Sequence, residues 1–169
     1  MSAADLTHLR QAISLARQAR DHGNHPFGAL LTDETGRRLL EAENSVVTKC
    51  DCTMIKGDCT NHAELNLVRL ASTRLSRETL QRCTLYTSTE PCAMCAGAIF
   101  WSGIGRVVYA LSEERLLALT AGGSEESFLF LPCREVFARG QRPIEVVGPL
   151  LEEEAALVHE GFWRPKTEP

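Results

Sequence analysis

The sequence predicts an α/β sandwich built around a partly parallel β-sheet. An amphipathic helix and a β-hairpin come first, and strands alternate with helices from Thr60 onward. The chain has 169 residues, 44% hydrophobic and 24% charged, and this is enough to bury a substantial core. Because the sequence shows no repeat, low-complexity run or linker, we expect residues 1–169 to form a single domain.

The first part of the chain predicts a helix, a hairpin and a loop. Leu9, Ile13 and Ala16 recur at helical spacing, so we expect an amphipathic helix from Asp5 to about His22. A turn at 33–36 separates the two strands of the hairpin. The strands, the loop without apolar periodicity and the next helix are expected at 27–32, 39–47, 48–61 and 62–71.

The second part predicts alternating strands and helices. Strands are expected at 83–89, 105–110 and 144–147, and helices at 92–101, 112–120 and 150–160. Ser112 is a suitable cap for the second of these helices, and Gly122 follows its end. The segment 124–140 has no clear pattern. Such alternation is typical of a sheet that is at least partly parallel.

Charge and cysteine content limit the classes of partner. The net charge of −4 and the pI of about 5.8 do not suit a protein whose main partner is a phosphate backbone, but they fit a small-molecule substrate. Seven cysteines, an odd number, favour reduced thiols and metal binding over a complete disulfide framework. With no apolar signal segment or membrane-spanning run, we expect a cytoplasmic protein without a membrane partner.

Two motifs, at residues 62–64 and 91–95, predict a metal site. Cys92 and Cys95 lie three residues apart, so on a helix their thiolates face one ion. Pro91 suits the first turn of that helix, and the helix N-terminus favours ionised thiols. His62 offers a third ligand from another helix start, where Thr60 and Asn61 are candidate caps.

This ligand set favours a catalytic zinc ion over a structural one. Three protein ligands leave the fourth tetrahedral position open for water, whereas a structural site has four protein ligands. Glu64 lies two residues after His62, where it can contact that water without binding the metal. The sequence therefore predicts a zinc site with Glu64 as its proton carrier.

The motifs resemble those of the cytidine deaminase-like superfamily. The run TLYTSTEPCAMCAGAI at residues 84–99, PFGA at 26–29, Asn44, HAE at 62–64 and GRVVY at 105–109 match the branch of guanine, nucleobase, nucleoside and tRNA adenosine deaminases. The resemblance implies a three-layer sandwich, in which a five-stranded mixed sheet carries helices on both faces. It also implies a homodimer with one catalytic Zn²⁺ and its water in each subunit.

Within this branch the sequence favours guanine, which would be converted to xanthine and ammonia. The resemblance implies that Phe27 stacks on the base, that the Asn44 amide contacts the purine edge, and that Trp101 walls the pocket. It also implies that the Ala63 backbone N–H holds a substrate carbonyl. The substrate-binding set is therefore Phe27, Asn44, Ala63 and Trp101.

The resemblance also implies a second acid beyond the zinc helix. Glu125 and Glu126 lie at a suitable distance in the sequence, and Glu126 is preferred as the second catalytic carboxylate beside Glu64. Near the end of the chain, Phe162 and Trp163 could close the pocket, either in the same subunit or in the neighbouring one.

Several alternatives remain open. Guanosine, cytosine, adenine or an amino-triazine would use the same chemistry, and so would tRNA adenosine, although acidic residues prevail near the C-terminus. A binding module without activity is disfavoured, because Glu64 and all three ligands are present. The stretch 50–59, which contains Cys50, Cys52 and Cys59, is longer than in the resembling family. It could shape the pocket mouth, hold packed thiols or bind a second metal.

Overall fold

The computed structural model describes residues 2–48, 57–120 and 129–163, which contain a five-stranded sheet and seven helices. The strands are β1 Gly28–Thr32, β2 Arg38–Glu43, β3 Thr84–Thr89, β4 Arg106–Leu111 and β5 Glu145–Val147. The helices are α1 Ala3–Asp21, α2 Ala63–Arg74, α3 Arg77–Gln81, α4 Ala93–Ser102, α5 Glu113–Thr120, α6 Cys133–Ala138 and α7 Glu152–Ala156. No helix in these ranges has both the length and the apolar composition needed to cross a bilayer.

The sheet is mixed, with the strand order β2-β1-β3-β4-β5. β1 pairs antiparallel with β2 and β3, whereas β3, β4 and β5 run parallel to one another. The register sets Thr89 opposite Leu111, so β3 and β4 end at the same edge. Ligands of open α/β sheets bind outside the carboxyl ends of the parallel strands, and the chains that follow β3 and β4 enter this region.

Helices cover both faces of the sheet, as the family resemblance implied. Successive strand residues such as Leu85 and Tyr86 belong to different apolar clusters because their side chains point to opposite faces. The first cluster packs α2, α3, α4 and α6 against the sheet through Leu67, Leu80, Ile99 and Phe137. The second packs α1, α5 and α7 through Leu9, Ile13, Leu116 and Ala155.

A buried carboxylate joins α1 to the sheet. Asp5 accepts a hydrogen bond from the Ser2 backbone N–H at 2.7 Å, which closes a capping box at the start of the helix. The same carboxylate accepts from Arg106 Nη1 on β4 at 2.8 Å and from Tyr86 Oη on β3 at 3.0 Å. The start of α1 is therefore bonded to two central strands.

Gly28 allows β1 to lie directly against α1. A Cβ atom at this position would be 2.5 Å from both the Ala16 backbone nitrogen and Leu15 Cβ. No larger residue fits without moving the helix, so this glycine of the PFGA motif has a packing role.

The two helix starts that carry the metal motifs differ from the sequence prediction. His62 is the N-cap of α2, while Thr60 bonds to Asp58 and the Asn61 amide oxygen accepts from Arg69, so the prediction of Thr60 or Asn61 as the cap was wrong. Cys92 is the N-cap of α4, and Pro91 therefore precedes the first turn. Both ligand-bearing residues thus lie at the last extended position before a helix.

Other boundaries move by a few residues. The second strand ends at Glu43 instead of continuing to 47, and the closing helix is limited to Glu152–Ala156. Within the segment without a clear pattern, the described part contains α6. The five strands themselves lie where the sequence predicted them.

Candidate active site

A cavity of about 240 Å³ lies where β3 and β4 end. It receives side chains from the starts of α2 and α4, from one face of α5 and from the C-terminal segment. The lining residues are His25, Phe27, Val46, Cys59, His62, Glu64, Thr89, Glu90, Cys92, Glu113, Leu116, Thr120 and Trp163. The volume is below the 300–1,000 Å³ or so that is common for drug-sized ligands, so it suits a single small ring system.

Three predicted metal ligands meet at this cavity. The ligand atoms of His62, Cys92 and Cys95 all lie within 4.8 Å of one another. His62 Nδ1 is 3.6 Å from Cys92 Sγ, because the N-termini of α2 and α4 converge here. A group of one imidazole and two thiol ligands with a water position fits a catalytic zinc ion.

The electrostatics of the thiol pair also fit a metal. A hydrogen bond from Cys95 is the main cause that lowers the pKa of Cys92 to about 4, and the contact with His62 acts in the same direction. The same thiol–thiol hydrogen bond, together with burial, raises the pKa of Cys95. The pair therefore shares a proton that a bound cation would displace, as thiolate ligation requires.

Glu64 lies beside this ligand group without belonging to it. It is the second residue of α2, and its Oε1 accepts a 2.7 Å hydrogen bond from Thr87 Oγ1 on β3. Burial raises the pKa of Glu64, while the Thr87 hydrogen bond opposes part of that effect. A buried carboxyl that is held in one orientation and has a raised pKa is suited both to take and to return a proton.

Two predicted substrate contacts are close to the cavity. Phe27 lines it, with its ring centroid 5.3 Å from that of His159 and 6.2 Å from that of Trp163. Asn44 is fully buried behind the lining residue Val46, whose backbone N–H donates to Asn44 Oδ1 at 3.0 Å. Asn44 Nδ2 has no hydrogen-bond partner among the described residues, so one amide donor remains available.

Of the other three predicted site residues, Ala63, Trp101 and Glu126, the structure describes the first two, which are placed differently with respect to the cavity. Ala63 is the buried first residue of α2, where backbone N–H groups have no partner within the helix. Trp101 is 76% exposed and does not line the cavity of its own chain. Cys95 and Ile99 lie on the buried face of α4, and Trp101 lies on another face of this helix. Which face of α4 is buried depends on how the helix packs, so the sequence alone did not show that Trp101 is exposed. Glu126 lies outside the described residues.

Several other predictions concern segments that are described only in part. Glu125, Cys50 and Cys52 also lie outside the described residues. Cys59 lines the cavity, which agrees with the suggestion that this cysteine-rich stretch shapes the pocket mouth. The described part of the stretch begins at Gly57.

The C-terminal segment covers one side of the cavity with aromatic rings. Trp163 lines it, and its ring is nearly parallel to that of His159, with an interplanar angle of 13° and centroids 6.0 Å apart. Trp163 Nε1–H donates to His159 Nδ1 at 3.1 Å. Burial, with a smaller effect of the Arg20 charge, lowers the pKa of His159 to about 4, so this ring is a neutral acceptor. Trp163 therefore lines the cavity of the chain to which it belongs.

The cavity also has an acidic wall, formed by Glu90 and Glu113, that the sequence did not predict. Glu113, Leu116 and Thr120 follow helical spacing on α5, and all three line the cavity. Glu90, just before the metal-binding motif, also lines it. The spacing on α5 was the signal available, but a charged residue at a helix start also occurs on ordinary exposed helices.

Comparison with known proteins agrees with this geometry. Residues 2–111 match the family described as the cytidine and deoxycytidylate deaminase zinc-binding region. Over 163 residues the chain is 47% identical to a probable cytosine deaminase of Schizosaccharomyces pombe, covering 96% of this chain and 94% of the relative. It is 38% identical over 125 residues to the guanine deaminase of Bacillus subtilis, or 73% of each chain. Further relatives include tRNA-specific adenosine deaminases.

The fold is also similar to that of solved deaminases. A structure of the guanine deaminase from Nitrosomonas europaea matches with a TM-score of 0.71 and 27% identity, covering 96% of this chain and 85% of that one. This likeness confirms the predicted fold class. Since the family match covers more than half of the sequence and a relative at 47% identity covers nearly all of it, the chain belongs to the zinc-binding cytidine and deoxycytidylate deaminase family.

Proposed function

We propose that residues 1–169 form a single zinc-dependent deaminase domain that hydrolyses the amino group of a free nucleobase. The observation that carries this proposal is the position of Glu64, a buried carboxyl in the same cavity as the ligands His62 and Cys92. A structural zinc site needs no such neighbour. The reaction takes a water and an amino-substituted ring carbon to a ring carbonyl and ammonia.

The residues of the chain have separate roles in this reaction. His62, Cys92 and Cys95 would hold the zinc ion, which when bound supplies Lewis-acid activation of water. Glu64 removes a proton from the attacking water and delivers it to the ring nitrogen beside the reacting carbon. Thr87 holds the Glu64 carboxyl in position through its 2.7 Å hydrogen bond. A second proton transfer, from Glu64 or from the predicted Glu126, allows ammonia to leave.

Guanine is the first candidate substrate. Phe27 lines the cavity, and the Asn44 amide keeps an unpartnered N–H donor nearby; both support the roles that the family resemblance implies for a purine. The solved guanine deaminase from Nitrosomonas europaea aligns with nearly the whole chain, and a variant of the protein NE0047, also similar to this chain, is seen with 8-azaguanine. The product would be xanthine.

Cytosine is the second candidate. The 47% identity to a probable cytosine deaminase extends over almost the full length of both chains. A cavity of about 240 Å³ also accepts the smaller pyrimidine ring, and exposed Trp101 removes one argument for a purine pocket. Both candidates are free bases, and both use the same catalytic residues.

The test is ammonia release by zinc-loaded protein with guanine, cytosine, adenine, guanosine, an amino-triazine and tRNA as substrates. The Glu64→Gln variant is the matched control, since it preserves the shape of the side chain but cannot carry the proton. We expect turnover of guanine or cytosine by the natural chain and a loss of at least about 100-fold in the variant, with zinc content unchanged. Turnover of tRNA alone, or full activity of Glu64→Gln, would overturn the proposal.

We also propose that the enzyme is a homodimer, as the family resemblance implies. Met94 and Trp101 form an exposed apolar strip on α4 that would lie in such an interface. Sedimentation of the natural chain and of Trp101→Ser tests this arrangement. A natural chain that sediments as a monomer at micromolar concentration contradicts it.

A further inference from the structure

The acidic wall of the cavity contains a carboxylate oxygen that the protein itself does not use. Glu113 is 4% exposed and lines the cavity, yet its Oε2 has no hydrogen-bond partner among the described residues. Two further buried side-chain atoms in the described ranges share this state, Thr89 Oγ1 and Asn44 Nδ2. Buried polar atoms are nearly always paired, so such a group beside a cavity indicates a ligand with complementary atoms.

The neighbouring carboxylate of Glu90, in contrast, has a hydrogen-bond partner for each of its oxygens. Glu90 Oε2 accepts the Glu113 backbone N–H at 3.2 Å, and Glu90 Oε1 accepts the Cys133 backbone N–H at 3.1 Å. Both Glu90 oxygens therefore brace helix starts, one on α5 and one on α6. This brace holds the Glu113 backbone at the cavity wall. A backbone hydrogen bond from Leu131 stabilises the Glu113 carboxylate, while its Oε2 remains without a partner among the described residues.

We infer that Glu113 is a specificity-determining residue whose carboxylate accepts a hydrogen bond from the ring N–H that a free base has and a nucleoside lacks. This inference rests on the proposed function and names the substrate class of that same site. Guanine and cytosine each carry one ring N–H at the position where a nucleoside carries its sugar. Glu64 and the metal ligands occupy the reacting side of the ring, so this N–H needs a separate acceptor.

The surrounding charges agree with this assignment. Glu64, Glu90 and Glu113 all line the cavity, and so a substrate phosphate would be repelled. Burial, followed by the charges of Glu90 and Cys92, raises the pKa of Glu113 to about 7, and an N–H donor would offset the cost of keeping the carboxylate ionised there. A neutral base with a donor edge fits the wall better than a nucleotide does.

The experiment compares each accepted base with its methylated analogue, guanine with 9-methylguanine or cytosine with 1-methylcytosine. The measured quantity is kcat/KM for base over analogue. Three zinc-loaded variants accompany the natural chain: Glu113→Gln, Glu113→Ala, and Glu114→Gln as the exposed neighbour on the same helix. Glu113→Gln keeps the bulk of the side chain, whereas Glu113→Ala removes both the carboxylate and the bulk. Comparing the two variants separates a lost hydrogen bond from steric exclusion of the methyl group.

We expect the natural chain and Glu114→Gln to prefer the base over its analogue by at least about 100-fold. Because a hydrogen bond to a charged group accounts for about 10- to 100-fold, Glu113→Gln should lose that factor on the base and little on the analogue. Glu113→Ala should lose the preference as well. A preference that persists in both Glu113 variants, or its absence in the natural chain, would overturn the inference alone. An inactive natural chain would overturn the proposed function and the inference together.

Discussion

Thr87 Oγ1 lies 2.7 Å from Glu64 Oε1 and donates a hydrogen bond to it from the neighbouring strand. Thr87 is fully buried on β3, and Glu64 is on the first turn of α2. The contact joins the sheet to the helix that carries Glu64, the proposed proton carrier. It fixes the direction in which the Glu64 carboxyl faces the metal ligands, so catalysis should depend on it even though Thr87 does not line the cavity.

Replacing Thr87 with valine should lower kcat/KM by about 10-fold or more, since hydrogen bonds to charged groups contribute about 1.5–3 kcal/mol. Valine keeps the shape of the side chain but removes the donor. Zinc content should remain at one per chain. Thr87→Ser, which restores the hydroxyl, should recover most of the activity. Equal activity of Thr87→Val and Thr87→Ser would show that the hydrogen bond does not position Glu64.

Removing a thiol ligand should release the metal. Cys92→Ala leaves two of the three ligands. Loss of a residue that only hydrogen-bonds to a metal ligand lowers metal affinity by about 10- to 100-fold, so we expect the loss of a ligand itself to lower zinc affinity by more than about 100-fold. The melting temperature should fall to that of the chelator-treated natural chain, because metal binding stabilises the folded state. Zinc content and thermal melting measured together test this expectation.

Cys59→Ala is the matched control for the ligand set. Cys59 lines the same cavity but lies outside the group of three ligands. This variant should retain stoichiometric zinc. Loss of metal from Cys59→Ala, or stoichiometric zinc in Cys92→Ala, would require a different ligand set.

His159 should make stability depend on pH in mildly acidic solution. Burial lowers the pKa of this residue from 6.5 to about 4, so the folded state keeps it neutral while the unfolded state takes up a proton. Its contribution is fully present above pH 6.5 and is lost as the pH falls toward 4, by about 3 kcal/mol in all. Urea unfolding at several pH values measures this loss.

His159→Gln separates this effect from other groups that titrate in the same range. Glutamine can still accept the Trp163 indole N–H but does not take up a proton. The free energy of unfolding of the variant should therefore change less than that of the natural chain between pH 6.5 and 4. Parallel curves for the two proteins would contradict the assignment of the slope to His159.

Asp5 should matter for stability at neutral pH. Its hydrogen bond with Arg106 is the main cause that holds the pKa of the carboxyl well below its usual range. Asp5→Asn should cost about 3 kcal/mol, because Arg106 loses a buried partner. The difference should be constant from pH 7 to about 5 and should shrink as the pH falls below 3.8, because the unfolded natural chain then takes up a proton on Asp5 that the folded chain, with its lowered pKa, does not yet bind.

The exposed pair of Arg10 and Glu154 provides the comparison for Asp5. Its atoms are 2.8 Å apart, the same distance as in the Asp5–Arg106 pair, but both side chains are about half exposed. Glu154→Gln should leave the unfolding midpoint unchanged, since solvent screens such pairs. An equal loss from Glu154→Gln and Asp5→Asn would show that burial is not what strengthens the Asp5 contact.

The sequence by itself determined the fold class and the metal ligands, and it singled out Glu64, whose role as proton carrier is a proposal. Strand and helix periodicity depends on local spacing, and the five predicted strands lie where the structure has them. The ligands His62, Cys92 and Cys95 could be named because zinc chemistry requires these residue types at short spacing within each motif.

The tertiary structure alone decided which other side chains line the cavity. Trp101 is outside because the packed face of α4 carries Cys95 and Ile99, whereas Glu113 is inside because β4 ends beside β3 and delivers α5 to the same edge. Trp163 comes from a distant part of the chain and lies at the cavity beside the rings of His25 and Phe27. Contacts between residues remote in sequence depend on how the layers pack, and no local pattern records that packing.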